Sequence, residues 1–212
     1  VQTAKKFWYI YASLTVLITL GFFVFGMRPF DAVAHGLTTA STGGFSTKDA
    51  SLGYWNSITI EIVAMVGFLI AATNFTLHAR LIEKKRFDYV SDPEFKSFIG
   101  IIVLGVLIIA LLLNGEGFSF GSSLRNASFN VVTLATSGGY GNALGSGEVG
   151  DFASWPGSTQ LLLLFFIVLG GCSGSTSGGV KIMRFRIGLA HAYRTLRSMR
   201  RPRALIQARM GN

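Results

Sequence analysis

The chain has 212 residues, of which 50% are hydrophobic and only 14% are Asp, Glu, Lys or Arg, and its net charge is +9. A soluble domain carries about 25% charged residues, so the composition excludes an ordinary water-soluble domain and indicates a polytopic membrane protein. The single cysteine, Cys172, excludes an intrachain disulfide.

In chain order, residues 7–26 (FWYIYASLTVLITLGFFVFG) form the first apolar run that meets the ~20 residues a bilayer-crossing helix requires. This run is too long and aromatic for a signal peptide, and no small-residue cleavage site follows it. Residues 30–39 are too few to span and predict a half-helix that leads into STGGFS at 41–46. A second span is predicted at 57–78, followed by a basic loop at 79–97 with a break at Asp92-Pro93. The third span is 98–113, a second half-helix is 124–135, and TSGGYG occupies 136–141. The fourth span, 158–169, runs into GGCSGSTSGG at 170–179. The expected fold class is an all-α membrane protein of two tandem units, 1–90 and 91–190, with a basic cytoplasmic tail or linker at 191–212. Each unit reads span, half-helix, glycine loop, span.

Of the 19 Lys and Arg residues, all but Arg28, Lys48 and Arg125 fall on the side that holds both termini and the 79–97 loop. Basic residues favour the cytoplasmic side of a membrane, so both ends of the segment are expected there. The positive charge is then explained by this bias and by anionic lipid near the tail, without any nucleic acid. The opposite side carries Asp31, Asp49, Glu116, Glu148 and Asp151, a mildly acidic balance that suits an approaching cation.

The two glycine segments align at an offset of ninety-five residues, which pairs Thr38 with Thr133, Gly43 with Gly138 and Gly44 with Gly139. Irregular backbone at membrane depth survives only when it is buried in protein or lines a wet cavity. Thr42, Gly43, Gly44 and Phe45, like Ser137, Gly138, Gly139 and Tyr140, follow the hydroxyl, small, glycine, aromatic order of the T-V-G-Y-G filter, whose carbonyls replace the hydration shell of K⁺. These eight residues are the expected K⁺ site, with the aromatic pair packing behind the filter and the half-helices aiming their C-terminal ends at it. The competing reading of each segment alone is an ordinary surface turn, which two copies in matching contexts disfavour.

Glycine and hydroxyl residues dominate 170–179, and such a run cannot sustain a uniform helix at a cost of about 1 kcal/mol per glycine. Gly170, Gly171, Cys172, Ser173, Gly174, Ser175, Thr176, Ser177, Gly178 and Gly179 are therefore expected to form an intramembrane gating loop below the filter. Gly174 and Gly179 have the spacing of a phosphate loop, but Val180 stands where its lysine must be and Ile182, not a hydroxyl residue, follows Lys181, so the motif fails. Gly171-Cys172-Ser173-Gly174 resembles the nucleophile motif of rhomboid intramembrane proteases, which requires a histidine base; His35, His78 and His191 are poorly placed to supply one. Three scattered histidines and one cysteine offer no metal-ligand spacing, so no cofactor is expected beyond the transported ion.

Together, STGGFSTKDAS, the N-F-T-L-H end of the second span, D-P-E-F, TSGGYG and GGCSGSTSGGVKIMR resemble the TrkH branch of the TrkH/Ktr/HKT superfamily of K⁺ transport proteins, over essentially the whole chain. The resemblance implies a non-enzymatic K⁺-translocating subunit of four M1–pore helix–M2 repeats in a bacterial cytoplasmic membrane. It also implies a homodimer and a cytoplasmic ring of nucleotide-binding regulatory subunits of the TrkA type. Gly44 and Gly139 match the family's filter glycines, and 170–179 its gating loop after the third filter. The chain matches the second and third repeats, so the expectation is a piece of a longer transporter, with a self-pairing chain or a non-transporting structural membrane segment as alternatives. Glu61 is a candidate for either a functional or a hydrogen-bonded structural role. Asn74 is expected to bond a neighbouring helix, and Lys181 to extend to the headgroups rather than reach back to the loop.

Overall fold

The computed structural model describes residues 2–200, and these are helical apart from connecting loops and one isolated parallel bridge between Leu169 and Val180. The helices are α1 (Gln2–Val24), α2 (Pro29–Ala40), α3 (Ile58–Ala71), α4 (Phe75–Lys84), α5 (Pro93–Gly115), α6 (Phe120–Ala135), α7 (Gly157–Val168) and α8 (Ile182–Arg200). Short 3-10 turns at Ser51–Trp55 and Phe152–Ser154 precede α3 and α7. The expected tail at 191–212 enters α8, and its residues 201–212 lie outside the described residues.

Helices α1 and α5 have 23 residues each, a rise of about 34 Å, against a hydrocarbon layer of about 30 Å. Leu17, Leu20 and Val24 on α1 and Val103, Leu104 and Leu111 on α5 are exposed apolar residues, as a lipid-facing surface requires. The short helices lean on these long ones, α2 on α1 and α6 on α5. Pro29 starts α2 at a position where its missing N–H costs nothing. Asp92 caps α5 by accepting the Phe95 N–H at 2.7 Å, with Pro93 in the first turn. The break expected at Asp92-Pro93 is therefore a helix start.

The second of the expected four spans is corrected. Only α1 and α5 are, among the described residues, long and apolar enough to cross a membrane by themselves. The run at 57–78 is not one helix: α3 and α4 meet at a bend of 89°. At that bend Thr73 Oγ1 donates back to the Leu69 carbonyl at 2.7 Å, and Asn74 Oδ1 accepts the Thr76 N–H at 2.8 Å. The Asn74 side chain thus caps α4, and among the described residues it makes no bond to a neighbouring helix, because its Oδ1 is taken by the cap. The fourth run is α7, whose bounds agree with the expected 158–169; its 12 residues, about 18 Å of helix, stop at the glycine-rich segment.

Carbonyls released by the bend are taken up by the glycine-rich segment between α7 and α8. Cys172 N–H donates to the Ala72 carbonyl at 2.8 Å, and Thr176 N–H to that of Ala71 at 3.2 Å. In return the Gly174 carbonyl accepts the Phe75 N–H at 3.1 Å, one of the orphan donors at the start of α4. Two irregular segments therefore satisfy each other's backbone, the condition for either to persist away from water. His78 adds to this by placing Nε2 3.0 Å from the Ile70 carbonyl and Nδ1 2.7 Å from the Tyr89 hydroxyl.

The core lies between the two halves, with Phe22, Phe68, Phe98, Phe129, Ile109, Leu163 and Tyr140 buried. Glu61, at the start of α3, is 1% exposed and receives a bidentate pair from Arg125 of α6, with Nη2 at 2.7 Å and Nε at 2.9 Å. Glu61 is therefore one end of an ion pair that clamps one half of the chain to the other.

Candidate functional site

The two glycine segments follow α2 and α6 and have the same backbone. Thr42 and Ser137 are left-handed, at φ 52° and 58°, as are Gly44 and Gly139, at φ 67° and 80°. Left-handed backbone is rare for a hydroxyl residue, and here it occurs at paired positions of both segments, with a residue of ordinary φ between. Each segment is tied to the end of its own helix through its N–H groups. Gly43 N–H donates to the Thr38 carbonyl at 2.7 Å, and Gly138 and Gly139 N–H to the Thr133 carbonyl at 2.7 and 3.0 Å. Tyr140 N–H donates to Thr133 Oγ1 at 2.8 Å, while the paired Thr38 Oγ1 donates to the Phe45 carbonyl at 3.0 Å.

With the N–H groups used in this way, the carbonyls of Thr42, Gly43, Gly44, Ser137, Gly138 and Gly139 accept no hydrogen bond from any described residue. The segments also touch, since a Cβ built on Gly44 would overlap the Gly138 carbonyl oxygen. Only glycine allows that approach. Gly138 in turn presses on the Phe68 ring, so α3 backs the second segment. A Cβ on Gly139 would meet nothing within 4 Å, which leaves an open space beside it.

The two aromatics differ. Tyr140 is 1% exposed, with its ring 5.1 Å from Phe68 and 5.6 Å from His35, whereas Phe45 is 77% exposed. The packing expected of both is thus seen for Tyr140 alone. Behind each segment a side-chain bond joins the helix to the chain leaving the loop: Thr47 Oγ1 to Asp31 Oδ1 at 2.5 Å in the first half, Asn142 Nδ2 to Asn126 Oδ1 at 2.8 Å in the second. Asp31 and Asn126, like Thr47 and Asn142, are ninety-five residues apart, so the repeat offset would have found this pair of braces.

The segment 170–179 packs beneath both loops. Thr176 Oγ1 lies 3.0 Å from the Ala40 carbonyl and 3.1 Å from that of Ala71, and Gly178 N–H donates to Ser137 Oγ at 2.6 Å. The base of the segment is closed by the Gly170 N–H to Val180 carbonyl bond at 2.8 Å and the Val180 N–H to Val168 carbonyl bond at 2.9 Å. Ser177 Oγ accepts the Gly171 N–H at 2.6 Å, and Ser175 Oγ donates to the Cys172 carbonyl at 2.6 Å. Cys172 is buried. Lys181, expected among the headgroups, reaches back, with Nζ bonded to the Ser177 carbonyl and 3.3 Å from Ser175 Oγ. Both acceptors are close in the chain, and the bond to the otherwise unpaired Ser177 carbonyl outweighs extension to the surface.

The sequence marks Arg125 only as one of three basic residues opposite the termini and gives Glu94 no function. Both are charged residues in the early turns of helices, with partners from distant chain positions, and nothing local marks them. The rhomboid-like reading has no support: Ser173 Oγ donates to Glu94 Oε1 at 2.9 Å, and the nitrogens of His78 and His35 have other partners.

The profile of the family described as "TrkH: Cation transport protein" matches residues 1–212. The Trk system potassium uptake protein TrkH of Halomonas elongata is 39% identical over 99% of this chain and 42% of its own length. The protein of the same name from Escherichia coli K12 is 36% identical over 100% of this chain and 43% of its own. These relatives are transport proteins, so neither the protease reading nor the purely structural one draws support from them. The crystal structure of the potassium transporter TrkH from Vibrio parahaemolyticus superimposes with a TM-score of 0.90 at 39% identity, covering 99% of this chain and 44% of that one. The chain thus spans less than half the length of these relatives. With a full-length profile match, these identities and this superposition, the chain belongs to the TrkH family of cation transport proteins.

Proposed function

We propose that this chain forms part of the wall of a K⁺ uptake pathway across a bacterial cytoplasmic membrane. The observation that carries the reading is the set of six carbonyls without a donor among the described residues, from Thr42, Gly43 and Gly44 and from Ser137, Gly138 and Gly139, on two touching segments. Oxygen dipoles with no protein donor are what a desolvated monovalent cation needs. The C-terminal ends of α2 and α6 lead into these segments, which adds negative partial charge. In this reading 42–45 and 137–140 are filter segments, α2 and α6 are pore helices, and the chain divides into two M1–P–M2 units at about residue 90.

The segment 170–179 acts as the gate, and its bonds to Ala40, Ala71 and Ser137 support a reading in which they hold it closed. Further units of the same transporter supply the rest of the wall, and homodimerisation and a cytoplasmic nucleotide-binding ring follow from the family resemblance. The ion pair of Lys6 with Glu83 at 2.6 Å joins the start of α1 to the end of α4, and supports one common cytoplasmic side for these two ends.

The test is Rb⁺ uptake in cells lacking their own K⁺ uptake systems, comparing the 212-residue chain with the chain extended into its native flanking sequence. Uptake by the extended form that Gly44→Ser or Gly139→Ser abolishes is the expected result. Unaltered uptake in both variants would overturn the filter assignment.

A further inference from the structure

Glu94 is 3% exposed and, among the described residues, has no ion pair. A buried carboxylate without a cation is costly unless donors surround it. Its Oε1 accepts three: Ser173 N–H at 2.7 Å, Ser173 Oγ at 2.9 Å and Met183 N–H at 3.1 Å. Met183 is in the first turn of α8, and Glu94 itself is in the first turn of α5. Two helix N-termini, each a partial positive charge with orphan N–H groups, therefore converge on one side chain.

Ser173 and Met183 flank residues 174–182 and are the two roots of the stretch whose tip carries the Thr176 and Gly178 contacts. One atom of α5 thus ties both roots of that tip, while its contacts to Ala40, Ala71 and Ser137 are backbone and hydroxyl bonds. Bonds to a charged acceptor are about twice as strong as neutral ones, so the roots are the stronger attachment. We infer that Glu94 is the positioning residue of the gate, holding the 170–179 segment under the carbonyl loops, and that its removal favours the open pathway. The inference rests on the transport reading above and goes beyond it, since it assigns gate control to a side chain outside the segment.

The experiment has two arms, both on the chain with its native flanking sequence. In proteoliposomes of phosphatidylethanolamine and phosphatidylglycerol, Glu94→Ala is expected to raise basal Rb⁺ flux by about tenfold, the order expected for losing charged hydrogen bonds, with K⁺ over Na⁺ preference retained. A merely structural role would lower flux instead. The second arm uses Cys172, the one cysteine among the 212 residues, which is buried beside Ser173. Glu94→Ala and Glu94→Gln both remove the carboxylate charge beside the thiol, but only Gln keeps an acceptor, so modification by a methanethiosulfonate reagent is expected to be several-fold faster in Glu94→Ala than in Glu94→Gln. Equal thiol rates in the two variants overturn the anchor whether or not they transport, and an unchanged or lower flux in Glu94→Ala overturns its part in gating. Absent uptake by the parent protein would count against the transport reading, while the thiol arm still decides the anchor.

Discussion

The hydroxyl of Tyr140 lies 2.5 Å from Oγ1 of Thr38, so the second glycine segment is bonded to the helix that carries the first. The same hydroxyl is 3.2 Å from Thr39 Oγ1 and 3.3 Å from the His35 carbonyl. Phe45, the paired aromatic, has no such role and is exposed. Of the two paired aromatics, only the one in the second segment ties the two loops together.

Tyr140→Phe removes these bonds and keeps the ring. It is expected to destabilise the protein by about 1–2 kcal/mol and to weaken discrimination of K⁺ from Na⁺. Phe45→Leu should change neither by a comparable amount. Thermal unfolding in detergent and competition of Na⁺ against Rb⁺ uptake read the two effects, and equal behaviour of the two variants would contradict the asymmetry.

Arg125→Ala leaves Glu61 as a buried carboxylate at 1% exposure with its bidentate partner gone. Breaking such a pair from one side costs about 3–5 kcal/mol, somewhat less here because the Arg125 side chain is 31% exposed. The double variant Glu61→Gln with Arg125→Met should recover much of that loss in the melting temperature. No recovery would mean that the pair does not clamp the two halves.

Gly44→Ala and Gly139→Ala separate two reasons for glycine. At Gly44 the added Cβ would overlap the Gly138 carbonyl, so the segments must part; at Gly139 there is room, and the cost is the left-handed φ of 80°, about 1 kcal/mol. Gly44→Ala is expected to abolish Rb⁺ uptake, whereas Gly139→Ala should be expressed at normal levels with reduced uptake or selectivity. Uptake measured per folded protein distinguishes them, and the reverse order would refute the close approach.

Thr176→Val is nearly isosteric and removes only the Oγ1 bonds to the Ala40 and Ala71 carbonyls. At about 1 kcal/mol of net hydrogen bonding, basal flux should rise about fivefold if those bonds hold the gate closed. Unchanged basal flux in the Thr176→Val protein would show that they do not.

The apolar runs, the helical class, the family and the ninety-five-residue offset were all legible in the residues, because each depends on composition or spacing along one chain. The paired left-handed positions Thr42 and Ser137, Gly44 and Gly139 follow that offset closely. What only the tertiary structure decided is where backbone and charge find their partners. Hydropathy alone predicts one helix over 57–78, yet it bends at Ala72–Asn74 because Cys172 and Thr176, distant in the chain, donate to the freed carbonyls. Lys181, Glu94 and Arg125 look like surface charges in sequence, and each has its partner fixed by packing. A buried polar group must be satisfied wherever the fold brings a partner, and one-dimensional spacing does not carry that information.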